Sequence, residues 1–382
     1  MHLNCCLLGL EGGWPGPLSF MTSLRGDMMI RRIFRYVGGF CPVVLLLFGM
    51  PAQAQMHREL SVSTSYDNNA FGDYSGQGDY LTQFNGMVSW WYGRGHSQTQ
   101  LYFSGDGYLF TQTRDRSFAV QGVGLLHVRQ LGQGNNQFYA GSFASVRLDR
   151  AAYQVYDYVG WKNYVTLKWY LQPSLMVRTG YTVQLRNHWQ LATSGYTDHN
   201  AFLQVNKFFP TRTTLRGDVN FGFKHHGTSE GQIVMGIQVA QSLAENTGVS
   251  LRYQNRLNTH AGVFDEDVLF QDTDILNDRY DYSGHEWTAR LTQQLPSRRR
   301  VIVEGGYEIR NYQTLTTLAD LSFDFSTLRK DRNPYFSLTF ETPLGERVNS
   351  RLVYDFERNL STDVYYDYKE RHSFSVNFDF DF

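Results

Sequence analysis

The chain has 382 residues and is almost neutral, with 35 Lys and Arg residues against 36 Asp and Glu residues and a formal net charge of −1. This balance argues against a nucleic-acid partner, which requires a strongly basic surface. All three cysteines lie before Ala54 (Cys5, Cys6 and Cys41), so the rest of the chain can form neither a disulfide framework, nor a thiolate metal site, nor a cysteine nucleophile.

Residues 28–54 have the three-part pattern of a Sec-type signal peptide. A basic n-region, an apolar h-region and a small-x-small cleavage signal follow one another: Arg31, Arg32 and Arg35, then 43–50, then Ala52-Gln53-Ala54. The alternative is a transmembrane anchor, but 37–50 is too short and too interrupted by Gly and Pro to span about 30 Å of hydrocarbon. We expect cleavage after Ala54, with 1–27 as a mis-assigned start or an unstructured leader and 55–382 as the mature domain.

From residue 55 onward the apolar residues recur with a period of two, as in β-strands, and not with a helical period. Five clear examples are 175–186, 215–224, 249–256, 286–295 and 347–357. Their polar faces carry too many charges for a dry core, where each unpaired charge costs several kcal/mol. Such strands fit a soluble sandwich with the charged face in water, or a transmembrane barrel with the apolar face in lipid and the charged face in a wet lumen.

The connections between these strands alternate strictly between short and long. Seven tight turns (93–96, 132–136, 172–174, 210–212, 245–247, 296–298 and 344–346) separate eight longer polar connections (67–78, 111–116, 149–153, 188–197, 226–230, 258–284, 311–331 and 359–369). Short turns on one side and long loops on the other are typical of outer-membrane barrels. The pattern predicts an all-β, transmembrane, antiparallel up-and-down β-barrel of about 16 strands (14–18, because 311–331 could contain another hairpin).

Aromatic residues gather near the predicted strand ends, where interfacial girdles of a membrane barrel are expected. The clusters are Trp90, Trp91 and Tyr92; Trp169 and Tyr170; Phe208 and Phe209; Tyr280 and Tyr282; and Tyr365, Tyr366 and Tyr368. The alternative is that they are the core aromatics of a secreted sandwich. Their position at the strand ends favours the barrel.

The last twelve residues, RHSFSVNFDFDF, form a finished alternating strand that ends on an aromatic residue. Phe374, Val376, Phe378, Phe380 and Phe382 share one face. This stretch resembles the closing strand of a Gram-negative outer-membrane β-barrel of the porin-like kind. The resemblance implies a bacterial outer-membrane location, contact with outer-membrane lipid and lipopolysaccharide, and reading of the five-residue stripe by the barrel-assembly machinery. The first strand, near residues 59–66, would close the barrel against it.

The final hairpin has a second, narrower resemblance. Its loop and last strand carry Asn359, Ser361, Tyr366, Tyr368 and Arg371. This arrangement resembles the last hairpin of barrels that export exopolysaccharide or assemble surface lipoproteins. Those exporters usually have a periplasmic helical-repeat domain before the barrel, so an export role here implies a separate periplasmic partner.

The charges predicted to face the lumen divide between two groups of strands. One group is basic and comprises Arg178, Arg186, Arg216, Lys224, Arg252 and Arg256, whereas the other is acidic and comprises Glu304, Glu308, Asp355, Glu357, Asp379 and Asp381. Strands distant in sequence face each other across a barrel, so a basic wall would face an acidic wall and orient dipolar solutes. The alternative is that these charges pair with neighbours, as Asp218, Arg347 and Arg351 would allow.

The predicted loop 258–284 is densely acidic. Asp265, Asp267, Asp272 and Asp274 are weak candidates for Ca²⁺ ligands, because clustered carboxylates suit this cation. No EF-hand spacing accompanies them, so a solvated external loop, or a loop folded inward as a constriction, is the alternative. We expect no cofactor and no defined metal site.

Several histidines near the predicted external ends (His188, His199, His225, His226, His260 and His285) raise the question of hydrolysis, which needs a nucleophile, a base and an acid together. The sequence contains no Gly-x-Ser-x-Gly or His-Glu-x-x-His stretch, and we expect a protein that is not an enzyme. The favoured function is an outer-membrane pore or export conduit for small polar solutes or saccharide. The alternative is a sealed structural, adhesive or surface-assembly barrel.

Overall fold

Sixteen strands form one closed antiparallel barrel in chain order, as seen in a computed structural model that describes residues 55–190, 195–226, 228–260, 282–318, 320 and 322–382. The strands are β1 Gln55–Asp67, β2 Asp79–Arg94, β3 Ser97–Phe110, β4 Phe118–Leu131, β5 Asn136–Asp149, β6 Tyr158–Gln172, β7 Leu175–His188, β8 Tyr196–Phe208, β9 Thr213–His226, β10 Thr228–Ala244, β11 Thr247–His260, β12 Tyr282–Gln294, β13 Arg300–Thr317, β14 Phe323–Pro343, β15 Val348–Ser361 and β16 Tyr368–Asp381. Short 3₁₀ helices at Arg114–Arg116 and Ala151–Tyr156 lie between strands.

The expected barrel of about 16 strands is confirmed, and so are the seven tight turns between consecutive strands. Chain entry into β1 and exit from β16 lie on the side of the short turns. Within the described ranges, no helix is both long and apolar enough to span a bilayer. The predicted leader and signal peptide, together with Asp265, Asp267, Asp272 and Asp274, lie outside the described residues.

Two of the eight predicted long connections are wrong. Strand β9 continues to His226 and β10 begins at Thr228, with these two residues paired, so 226–230 is mostly strand. In 311–331, β13 and β14 remain paired as far as Thr317 opposite Phe323, across two irregularities of register. Strand extensions that rise beyond a membrane do not need an apolar face, and their polar sequences therefore resemble loops.

The outer surface of the barrel is apolar. Residues of one parity in each strand are exposed large hydrophobics, for example Leu203, Phe221, Ile237, Leu251 and Trp287. Their neighbours of the other parity face inward and are mostly polar or charged. An outward apolar face on a closed barrel matches lipid, because every backbone hydrogen bond is satisfied between strands and no edge remains.

Strands β1 and β16 close the barrel through two distinct faces. Outward, the stripe of the last strand pairs with the first strand in the register Leu60↔Phe380, Val62↔Phe378, Thr64↔Val376 and Tyr66↔Phe374. Inward, Ser61 donates to Asp379 at 2.6 Å. At the external end, Arg371 Nη2 lies 2.7 Å from Asp67 Oδ2. The predicted partnership between residues 59–66 and the final strand is confirmed.

The predicted aromatic girdles are only partly correct. Trp169 and Phe209 are exposed, as expected for an interface. In contrast, Tyr282 lies beneath the Arg256 guanidinium at 4.5 Å, and the Tyr366 ring lies 3.4 Å from the Arg329 guanidinium. Tyr282 has the inward parity of β12, which it shares with Glu286, and Tyr366 lies in the connection before β16. Several external aromatics therefore pack among charges.

Candidate functional site: the barrel lumen

All twelve residues predicted to line the two walls have the inward parity of their strands. The register pairs them with other inward residues, as in Arg216 opposite Gln238, Arg252 opposite Thr288 and Glu304 opposite Arg290. All twelve side chains therefore project toward the interior of the barrel.

Two arginines of the basic group share one acid. Arg216 Nε lies 3.0 Å from Asp218 Oδ1, and Arg252 Nη2 lies 3.3 Å from Asp218 Oδ2. Asp218 is 7% exposed, whereas both guanidinium groups remain about one-third exposed. One buried carboxylate thus fixes two arginines that present their remaining donors to the lumen.

The other basic residues contact aromatic rings. The Arg186 guanidinium lies 4.2 Å from the Tyr158 ring, Lys224 Nζ lies 4.9 Å from the Tyr196 ring, and the Arg178 guanidinium lies 5.5 Å from the Phe202 ring. Such cation–π contacts contribute about 0.5–2 kcal/mol each, depending on desolvation. They orient these cations without neutralising them.

The acidic group contains its own cations. Glu308 pairs with Arg310 at 2.6 Å and Glu357 with Arg371 at 3.6 Å, while Glu304 is 3.8 Å from Arg290. Asp355 accepts a hydrogen bond from Ser373 at 3.2 Å, and Asp381 lies 3.4 Å from His57. Local pairing on both sides of the lumen is therefore extensive. The transverse field of two opposed walls stays a prediction.

A buried polar cluster lies at the external ends of β13–β15. Asp331 is completely buried and accepts from Arg329 Nη2 at 2.6 Å, from Ser361 Oγ at 2.6 Å and from Asn359 Nδ2 at 3.2 Å. The Arg329 guanidinium lies between the rings of Tyr312 and Tyr366. Sequence reasoning missed this cluster, because it placed most of these residues in separate loops.

Four aromatic rings lie over glycines on the inner wall of β3–β8. Tyr102 covers Gly124, Phe143 covers Gly122, Tyr164 covers Gly141 and Phe202 covers Gly180; a Cβ atom added at any of these glycines would overlap the ring. The rings are half-buried. Sequence reasoning missed this set as well, although the inward parity of the four glycines was a signal that could have indicated it.

The candidate catalytic histidines do not converge. His199 and His285 face outward, where each imidazole Nδ1 contacts a tyrosine hydroxyl (Tyr181 and Tyr253). His188 is buried against the Tyr158 ring, and His225 Nδ1 lies 3.1 Å from Ser229 Oγ. Among the residues with described side chains, no group of three or more His, Cys, Asp and Glu residues is placed to hold a metal ion.

No family model and no curated protein matches the sequence, whereas many solved structures share its fold. OccAB1 of Acinetobacter baumannii is 10% identical, with 88% of this chain and 98% of that chain covered and a TM-score of 0.52. A bacterial polysaccharide outer membrane secretin is 13% identical, with 85% and 97% covered and a TM-score of 0.50. OccD3 (OpdP) of Pseudomonas aeruginosa is 9% identical, with 87% and 93% covered and a TM-score of 0.50.

The resemblance of the closing strand to outer-membrane barrels is thus confirmed at the level of the fold. The protein is a closed 16-stranded antiparallel β-barrel with the fold of these structures. Its closed sheet and apolar outer face, together with this fold, place it in a bacterial outer membrane.

Proposed function

We propose that the barrel is an outer-membrane conduit that passes small polar solutes, including saccharides, through a charged lumen. The observation that carries the proposal is the inward face of charged and hydrogen-bonding residues within a closed barrel of 16 strands. Barrels of this strand number are wide enough to leave an aqueous channel. Buried charges at this density would be costly without water.

The named structures with the same fold support this reading. Two of them are Occ proteins, and a third is described as a polysaccharide outer membrane secretin. We include saccharide export in the proposed function because the fold is similar to that of the secretin and because the final hairpin resembles that of exporters. Export by this chain would need a separate periplasmic partner.

The first test is single-channel conductance of the refolded 55–382 chain in a planar bilayer. We expect steady, ohmic current steps, because a hydrated lumen conducts salt in both directions. Protein that is shown to be inserted by protease protection, yet gives no current in repeated trials, would contradict the proposal.

Charge selectivity depends on Asp218 in particular. We expect Asp218→Asn to raise the anion-to-cation permeability ratio about 2- to 5-fold, because the exchange removes the acid that compensates Arg216 and Arg252. The measurement is the reversal potential in a tenfold KCl gradient. Glu245→Gln, which makes the same change of charge at an exposed periplasmic turn, is the control and should leave the ratio unchanged.

The external rim offers a specific reason to keep the sealed barrel as a second candidate. Neighbouring loops are joined by backbone hydrogen bonds, from Tyr74 N to Tyr365 O at 2.9 Å and from Trp189 N to Asp157 O at 3.3 Å. Burial, followed by the nearby Asp73 carboxylate, raises the pKa of Tyr365 to about 12. A rim tied in this way would suit a structural or adhesive barrel, and the absence of current from inserted protein would favour it.

A further inference from the structure

Four glycine-covering rings lie near the mid-length of neighbouring or nearby strands on one side of the barrel. Tyr102, Phe143, Tyr164 and Phe202 occupy central positions of β3, β5, β6 and β8, and each faces inward. The register places Tyr164 opposite Gly141 and Phe202 opposite Gly180. We call these four side chains the aromatic belt.

The missing Cβ atoms allow the belt rings to lie flat against the wall. An added Cβ would come within 2.5 Å of the Tyr164 ring at Gly141 and within 2.6 Å of the Phe202 ring at Gly180. The rings of Tyr102 and Phe143 are almost parallel, with an interplanar angle of 9° and centroids 5.8 Å apart. Each ring covers a glycine, and the Arg178 guanidinium lies 5.5 Å from the Phe202 ring.

Three cations lie beside the aromatic belt, on strands that contain no acidic residue. Strands β6 and β7 contain no Asp or Glu, yet Lys162, Lys168 and Arg178 face inward from them. Lys162 is directly opposite Phe143, and the Arg178 guanidinium lies over the Phe202 ring. Among the described residues, none of these three cations forms an ion pair.

One cross-strand pair is especially informative, because Lys168 lies directly opposite Arg178. Like charges in this position destabilise a sheet. Elsewhere in the lumen, Arg216 and Arg252 share the carboxylate of Asp218, whereas Lys168 and Arg178 form no ion pair among the described residues. An anion between Lys168 and Arg178 would remove the repulsion, and guanidinium and ammonium groups both bind carboxylates.

The opposite side of the lumen is polar. In a barrel of 16 strands β5 and β6 face β13 and β14, whose inward residues at this height include Glu304, Ser337 and Tyr335. The Tyr335 hydroxyl donates to Glu286 at 2.8 Å. Tyr335 also covers a glycine, Gly306, so this side carries a ring as well, and it differs from the belt side in its acids and hydrogen-bonding groups.

We propose that the aromatic belt and its flanking cations form a transit site for an acidic saccharide, a chain of sugar rings that carry carboxylates. The C–H face of a sugar ring packs on an aromatic face, its hydroxyls reach the polar side, and its carboxylate binds Lys162 or the Lys168–Arg178 pair. Shallow stacking on several rings holds a chain while still allowing its release. This inference rests on the proposed conduit function and specifies its substrate class.

The test uses the refolded 55–382 barrel and two probes of equal length, an oligogalacturonate and a neutral malto-oligosaccharide. Binding is measured by calorimetry in detergent, which does not require conduction, and transient current block is measured in planar bilayers. We expect the acidic probe to bind at least tenfold more tightly than the neutral one. Equal affinities, or no binding of the acidic probe, would overturn the proposal.

Substitutions test whether the tighter binding of oligogalacturonate depends on the aromatic belt and its flanking cations. We expect Tyr164→Ala with Phe202→Ala to weaken oligogalacturonate binding at least tenfold, and Lys168→Gln with Arg178→Gln to weaken it similarly while leaving neutral-sugar affinity unchanged. The controls are Phe84→Ala on the outer face and Arg299→Gln at an exposed turn. The heat-dependent gel shift of folded barrels verifies each variant. Unchanged affinity in a folded belt variant would overturn the proposal.

The experiments distinguish a failure of the saccharide site from a failure of the conduit function. A barrel that conducts salt and binds neither sugar loses the saccharide site but keeps the conduit function. A barrel that binds oligogalacturonate in detergent but carries no current keeps the site and loses conduction.

Discussion

Replacing Asp331 by alanine is expected to lower the free energy of unfolding by about 3–5 kcal/mol, the typical cost of removing one partner of a buried ion pair. The carboxylate is completely buried, and the side chain of Arg329 is only 12% exposed. Without Asp331, the guanidinium would keep its position between Tyr312 and Tyr366 but lose its counter-charge. Urea titration of the barrel folded in lipid vesicles measures the change.

Two further variants serve as comparisons for Asp331→Ala. Asp355→Ala removes a lumen acid with a single described hydrogen bond, to Ser373, and should cost only about 0.5–1.5 kcal/mol. Adding Arg329→Met to Asp331→Ala should recover part of the loss, because no unpaired charge then remains buried. A cost for Asp331→Ala equal to that for Asp355→Ala would show that the cluster does not stabilise the rim.

The second large effect is expected on the lipid-facing stripe of the last strand. Val376→Arg should destabilise the barrel by about 2–4 kcal/mol, the penalty measured for Arg on the lipid face near the bilayer midplane. Val376 lies opposite Thr64 and Leu352 on the outer surface, about midway between Arg371 at the external end and Phe382. The measurement is the urea dependence of folding into vesicles of defined thickness.

The adjacent residue supplies a matched control. Ser375→Arg introduces the same side chain one position along, where the register with Ser65 and Val353 directs it into the lumen, and should cost less than about 1 kcal/mol. Similar losses for both variants would contradict the assignment of faces. Folding into vesicles involves no assembly machinery, so the experiment measures the role of Val376 in the lipid-facing wall, while the role of the stripe as an assembly signal stays a prediction.

The fold could be predicted because its determinants are local. The alternation of apolar and polar residues distinguishes the outward and inward faces of each strand. Tight turns such as 210–212 and 245–247 place consecutive strands side by side. The position of Arg178 and Glu304 in the lumen follows from these alone. A turn of a few residues between strands also restricts the pairing to neighbours.

The site could be predicted less well, because its contacts depend on register. Arg329, Asp331 and Ser361 meet only after β13, β14 and β15 are aligned across irregularities of pairing. The aromatic belt likewise requires knowledge of which glycine lies beside which ring. The clustering of aromatics near a strand end placed Tyr366 in a girdle, but it lies in the connection between β15 and β16, with the Arg329 guanidinium over its ring.

The glycines beneath the aromatic belt allow the free width of the lumen to vary independently of the backbone frame of the barrel. Strand number and stagger fix the frame of the barrel, whereas the free width at mid-height depends on how far side chains such as Tyr164 and Phe202 project from it. Exchanging one ring for a smaller residue would widen the bore without altering a single backbone pairing. Related barrels could therefore diverge in the size of cargo they admit through a few point substitutions, while their architecture stays constant.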